Sequence, residues 1–289
     1  MHAAGAADGS DALPLAAAAG APGDTGTPRL WGADYSVYTR IARLVLAECG
    51  VQYAFVETDI FEKAALPPGY VLHRHPFSKI PAFEHGRGAG GLQLFETDAI
   101  AHYLVAAFPN GKELLPADPA ARARCIQIMR VMDNYAFKAL VWGVFVEECE
   151  HDRPGQLLPD EVARAREVLV VLDQFLPAAP ATPPAAAAAA AATAGGAGDA
   201  AGESAGRFFV GGALSLADLW VAPMLAYLRL APTGQRLLRD EFPRLEAWDA
   251  SLAELPSMRA TRFPLEVTAA GSDSTGEVSA GTARLESKV

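Results

Sequence analysis

The chain has 289 residues, 51% of them hydrophobic, and a formal net charge of −10. That length is enough for one large or two modest domains with buried cores. The acidic balance argues against nucleic acid or an anionic membrane as partner, since both need clustered Lys and Arg, and no strongly apolar run is long enough to predict a bilayer-spanning helix.

Residues 1–27 are rich in Ala and Gly, and Asp8, Asp11 and Asp24 precede the first arginine, Arg29. A transit peptide is Arg-rich and acid-poor, and a secretory signal needs an apolar core behind positive charge. This stretch therefore reads as a disordered extension. Folding patterns begin with Arg29-Leu30-Trp31, a predicted strand. Ser36 to Cys49 follows as a helix with an apolar face of Ile41, Ala42, Leu44, Val45 and Leu46, ended by Gly50 in the C′ position. Val51 to Ile60 alternates as a second strand.

Beyond Pro67 and Pro68 comes the most informative stretch, His75-Pro76-Phe77-Ser78-Lys79-Ile80-Pro81-Ala82, then a glycine-rich gap and Leu94-Phe95-Glu96-Thr97-Asp98-Ala99-Ile100. It predicts two strands and a helix running from Glu96 to about Ala107. Proline removes a ladder donor, so Pro81 marks a strand start or a cis peptide. A backbone edge beside a helix N-terminus that opens on an acid and a hydroxyl suits one small ligand carrying an amine and carboxylates. Glutathione is such a ligand. Strand-helix-strand followed by strand-strand-helix is a compact α/β unit, expected over residues 28–110 with its boundary near Asn110-Gly111-Lys112.

From about 118 to 262 the patterns are only helical. Asp118 is a candidate N-cap with Pro119 at the first helical position, and an amphipathic run continues to Glu150. Pro159 to Phe175 is a second helix. Residues 178–206 are nearly all Ala, Pro, Gly and Thr, and read as a surface insert. Ser215-Leu216-Ala217-Asp218 has the form of a capping box, Pro223 is expected to kink the helix behind it, and Pro243 starts another helix. The tail 265–289, rich in Ser, Gly, Thr and Glu, is expected to be disordered.

Cys49, Cys125 and Cys149 form no metal-ligand spacing, and each falls in a helical pattern where a reduced, buried thiol is the ordinary outcome. This fits a cytoplasmic location. His73 and His75 alternate with no further ligand beside them, so no metal site is expected.

Taken together, Leu30 to Arg40, Lys79-Ile80-Pro81, Glu96-Thr97, Leu214 to Asp218 and Pro243 to Trp248 resemble the glutathione transferase family, in order and at suitable spacing across both halves of the chain. The resemblance implies a thioredoxin-like N-terminal domain, an all-helical C-terminal domain and a homodimer. It also implies that reduced glutathione is joined to a small apolar electrophile, with reduction of organic hydroperoxides as a further activity. Counting back from Gly50, Ser36 occupies the position of the catalytic serine of the phi, tau and theta-like classes. Tyrosine-type members carry their tyrosine near Gly32, so Tyr35 and Tyr38 do not match it. A thiol ionises near pH 8.5, and a helix N-terminus with a hydroxyl donor stabilises thiolate over thiol. Ser36 can supply both, while also serving as a plain N-cap.

By the same resemblance the backbone at Ile80, before Pro81, pairs with the cysteinyl part of glutathione. Lys79 reaches the glycyl carboxylate, Glu96 accepts from the α-amino group, and Thr97 holds the α-carboxylate in place of the more usual serine. Lys63, Tyr70, His73 and Arg74 are alternatives for one more carboxylate contact. Val37 replaces a frequent proline. The electrophile pocket is expected from Tyr35, Val37, Tyr135 and Trp142. On the long helix Val131, Tyr135, Trp142 and Phe145 follow helical spacing with Lys138 interrupting, beside a second stripe of Phe137, Val141 and Val144. Phe77 stands where members carry an aromatic lock at a dimer interface, or is an ordinary buried aromatic. Two other readings remain. One is a zeta-type cis-trans isomerase, which lacks its serine-serine-cysteine cluster because Ser36-Val37-Tyr38 stands there. The other is a non-catalytic transferase-like module, as in the gamma subunit of translation elongation factor one.

Overall fold

The computed structural model describes residues 26–86, 91–151, 153–177, 207–210 and 212–272. Of the expected extension over 1–27, residues 1–25 lie outside the described residues, as do the insert 178–206 and the tail beyond 272. The chain divides into two compact units, residues 1–39 with 52–100 and residues 40–51 with 101–289.

The first unit is built on a four-stranded sheet of order β2-β1-β3-β4. Strand β1 (Arg29–Gly32) pairs in parallel with β2 (Ala54–Glu57) and antiparallel with β3 (Ala82–His85), which pairs antiparallel with β4 (Leu92–Phe95). Side chains alternate across the pleat. One face carries Trp31 and Ala82 into a buried cluster with Ala33, Tyr70 and Ile80, and the other carries Leu30 and Phe83, both fully buried. Helix α1 (Val37–Glu48) follows β1, the single-turn α2 (Tyr70–His73) precedes β3, and α3 (Thr97–Ala107) follows β4. The second expected strand, Val51 to Ile60, shrinks to four residues with Phe55 partly exposed.

The second unit is helical. Helix α4 (Pro119–Val131) is capped by the Asp118 carboxylate, which accepts from the Ala121 N–H at 2.8 Å. It runs without a break into Met132–Glu150, which is wound as a π-helix. Then come α5 (Pro159–Phe175), α6 (Leu216–Leu230), α7 (Pro232–Glu241), α8 (Pro243–Ala253), α9 (Pro256–Ala260) and α10 (Pro264–Ser272). Pro223 lies inside α6, which continues through it. Ahead of α6 the Ser215 N–H and Oγ both donate to Asp218 Oδ2, at 2.9 and 2.8 Å, while Asp218 Oδ1 accepts from the Phe209 N–H at 3.0 Å.

The fold class is the expected one, a thioredoxin-like α/β part and an all-helical part. Two details differ. By packing, the two compact units part after Ile100, inside α3, whereas the domain boundary is expected at Asn110–Lys112. The later halves of α1 and α3 bury Ile41, Leu44 and Leu46, and Leu104 and Val105, as members of the second unit. Cys49 and Gly111 illustrate this, since a Cβ on Gly111 would stand 2.6 Å from the Cys49 sulfur. Second, residues 265–272, expected to belong to a disordered tail, form α10. Glu266 accepts from the Phe263 N–H at 2.7 Å, capping that helix, and pairs with the buried Arg40 at 2.6 Å.

Candidate functional site

The sheet register brings the sequence motifs together. Trp31 stands opposite Ala82, and Ala82 opposite Phe95, so three strands end or begin abreast. The residues after Trp31, before Ala82 and after Phe95 leave the sheet at one end. Those residues lead to Ser36, Lys79-Ile80-Pro81 and Glu96-Thr97. Gly32 ends β1 in close quarters. A Cβ there would stand 2.4 Å from the Thr39 methyl, so a side chain at this position would have to displace Thr39.

Ser36 is half-buried and precedes the first residue of α1. Its Oγ accepts from the Thr39 N–H at 3.2 Å, the N-cap bond to the third helical residue. Accepting uses an oxygen lone pair and leaves the hydroxyl proton to donate. The capping role and a thiolate-donor role are therefore compatible. Tyr35 beside it is committed. Its hydroxyl donates to Asp59 Oδ1 at 3.0 Å, Asp59 also accepts from the Phe61 N–H at 2.9 Å, and burial with the Asp59 bond pushes the phenol above its ordinary range. Val37 is 3% exposed.

The Ile80–Pro81 peptide is cis, and Pro81 immediately precedes β3. Lys79 is exposed, and its carbonyl accepts from the Tyr70 hydroxyl at 2.7 Å. Glu96 is exposed in the left-handed region at φ 68°, and its carbonyl accepts from the Ile100 N–H at 3.1 Å, the first bond of α3. Thr97 is buried at the first position of that helix. A helix start of this kind directs backbone N–H groups and the positive end of the dipole outward, where a carboxylate is favoured.

The alternatives for a further carboxylate contact separate. Tyr70 is 2% exposed and turned to Lys79. Arg74 lies 3.6 Å from Glu84 and 4.6 Å over the Trp31 ring. His73 is exposed. Lys63 sits on a short 3-10 turn, and its side chain lies outside the described residues. The support that Tyr70 gives to Lys79 and that Asp59 gives to Tyr35 was not evident in the sequence. Its one sequence signal was Pro67-Pro68-Gly69, whose glycine, at φ 71°, turns the chain into α2.

His75 is buried, with its Nδ1 atom lacking a hydrogen-bond partner, and its ring lies 5.0 Å from Phe95 and 6.3 Å from Phe77. Burial, then the Lys79 charge, lowers its pKa from 6.5 to about 4. Phe77 is 69% exposed, so the reading of an ordinary buried aromatic is overturned. In the helical unit Val131, Tyr135, Lys138 and Trp142 line a cavity of about 900 Å³ with Val168 and Val171 of α5. Phe145, expected on the same stripe, is buried instead and packs 4.5 Å from Tyr227. Among the described residues no group of three or more His, Cys, Asp or Glu stands where it could hold a metal ion.

Two family models match the chain. "Glutathione S-transferase, N-terminal domain" matches residues 27–106, and "Glutathione S-transferase, C-terminal domain" matches residues 159–248. Glutathione S-transferase F6 of Arabidopsis thaliana is 27% identical over 233 residues, covering 79% of this chain and 96% of the relative. Glutathione S-transferase A of Pleuronectes platessa is 27% identical over 241 residues, covering 81% and 90%. Among solved structures, glutathione transferase Omega 1C of Trametes versicolor superposes with a TM-score of 0.61 at 19% identity, covering 86% of this chain and 97% of that one.

Proposed function

The chain belongs to the glutathione S-transferase family, and from that premise we propose that it joins reduced glutathione to small electrophiles, with Ser36 stabilising the thiolate. The observation that carries this reading is the register of Trp31, Ala82 and Phe95, from which Ser36, Lys79-Ile80-Pro81 and Glu96-Thr97 all issue at one end of the sheet. Ile80 backbone groups pair with the cysteinyl residue, and Lys79 meets the glycyl carboxylate. Glu96 takes the α-amino group, and Thr97 with the start of α3 takes the α-carboxylate. Ser36 donates its hydroxyl proton in a hydrogen bond to the sulfur. The thiolate lone pair then forms a carbon–sulfur bond, and the electrophile expels a leaving group or takes up a proton. With an organic hydroperoxide the same thiolate attacks the O–O bond, releasing an alcohol and a sulfenic acid. A second glutathione converts that acid to the disulfide and water.

Tyr135 and Trp142 are proposed to receive the apolar part of the electrophile. The exposed Phe77 supports a homodimer. The three free cysteines support a cytoplasmic setting.

Ser36→Ala tests the central assignment. The pKa of bound glutathione, read from thiolate absorbance, is expected to rise, and conjugation is expected to slow tenfold or more, since about 1.4 kcal/mol corresponds to tenfold. Unchanged turnover would remove Ser36 from the chemistry. Retention on immobilised glutathione with no turnover of any electrophile would favour a non-catalytic binding module.

A further inference from the structure

Tyr70 sits behind the glutathione edge. Its ring is buried among Trp31, Ala33, Ile80 and Ala82, and its hydroxyl donates to the Lys79 carbonyl at 2.7 Å. Burial pushes the phenol upward, so it remains a protonated donor across the physiological range. The Lys79 carbonyl and the Ile80 N–H belong to one peptide plane. That peptide is trans, the cis bond being the next one along. A trans peptide holds its C=O and N–H in opposite directions. With the carbonyl held toward Tyr70, the Ile80 N–H is directed away from the cluster. The paired residues of β3 begin at Ala82, so the ladder does not itself set the orientation of this plane.

We infer that Tyr70 is a positioning residue for glutathione, orienting the Lys79–Ile80 peptide so that the Ile80 N–H meets the carbonyl of the ligand's cysteinyl residue. This rests on the glutathione reading above. Tyr70 touches no ligand atom in this role. It works through the backbone, and it withdraws from the alternatives for a carboxylate contact.

Tyr70→Phe keeps the ring and removes only the hydroxyl. Calorimetric titration of the full chain is expected to show glutathione binding weakened about tenfold, the scale of one buried hydrogen bond whose acceptor is left unpaired. Turnover at saturating glutathione and the pKa of the bound thiol should stay within the range of the native protein. Val56→Ala thins the packing against the same cluster without touching the hydrogen bond, and should leave glutathione affinity unchanged. Equal weakening by both variants would reduce Tyr70 to a packing residue and overturn the inference. A native-chain measurement runs beside these. Glutathione should slow amide hydrogen exchange at Ile80, and an unchanged Ile80 rate despite measurable binding would also overturn it. A native chain that binds no glutathione in the same titration would instead sink the parent reading, and this inference with it.

Discussion

Ser36 caps α1, and the thiolate role proposed for it can be separated from the cap by measurement. As the cap of α1 its Oγ takes the Thr39 N–H, so Ser36→Ala should lower stability by about 1 kcal/mol, while Ser36→Thr, which keeps the oxygen, should lose much less. A loss of activity that only tracks the loss of stability across the two variants would mean that the cap alone matters. His75 makes a different residue-scale prediction. Its folded pKa of about 4 lies below its ordinary 6.5, so the folded state binds fewer protons than the unfolded chain between those values. The stability contributed by the neutral ring is whole above pH 6.5 and is lost as pH falls from there toward 4. The slope approaches about 1.4 kcal/mol per pH unit for one proton. His75→Phe should remove this part of the fall in urea midpoint, so the native-minus-variant difference should decrease as pH falls from 6.5 toward 4, and a parallel slope in the variant would refute the assignment. The place of Ser36 was legible because β1, the helix and Gly50 are local in sequence. The burial of His75 was not, because it is made by Phe95, twenty residues away across a loop.

Helix starts were the most legible elements. Pro119, Pro159 and Pro243 each open a helix as N1 prolines do. The winding of Met132–Glu150 was not read from an α-helical template. Met132, Ala136, Leu140, Val144 and Glu148 are all buried at a constant spacing of four. On a 3.6-residue helix that stripe drifts by about 160° over its length, so an α-helical period does not place all five residues on one face. The same spacing takes Val131, Tyr135, Ala139, Gly143 and Glu147 along the cavity and leaves Phe145 in the core. It also puts a carboxylate at a core position. Glu148 is 2% exposed and accepts from the Thr233 N–H at 2.8 Å, the Thr233 hydroxyl at 2.6 Å and the Gly155 N–H at 3.0 Å. It thereby caps α7 and fixes the turn before α5. Glu148→Ala orphans all three donors and should cost about 3 kcal/mol, against about 1 kcal/mol for Thr233→Ala. Equal costs in denaturant titration would show that Glu148 acts through the Thr233 hydroxyl alone.

At the scale of the whole molecule the informative residue is one that the fold leaves outside. Phe77 is 69% exposed although Phe95 lies 6.2 Å away and His75 6.3 Å. Val71 and Leu72 in the same unit are also partly exposed. A monomer gains nothing from presenting a ring in this way, and exposed apolar clusters mark interaction surfaces. The family resemblance of the His75-to-Pro81 segment made an interface role legible in the sequence, but could not exclude a core position. The exposure of Phe77 excludes the core position. In a two-fold dimer the ring is buried twice. Each burial contributes about 1.5–3 kcal/mol, so Phe77→Ser should remove roughly 3–6 kcal/mol from association and weaken the dimer at least a hundredfold. Light scattering through a dilution series should then show a native dimer and a variant that dissociates at far higher concentration. The variant should keep its unfolding midpoint under monomeric conditions, because the side chain leaves water for no core of its own chain. A Phe77→Ser protein that stays dimeric down to the same dilution as the native one would show that the interface lies elsewhere, and a monomeric native protein would abolish the proposed assembly.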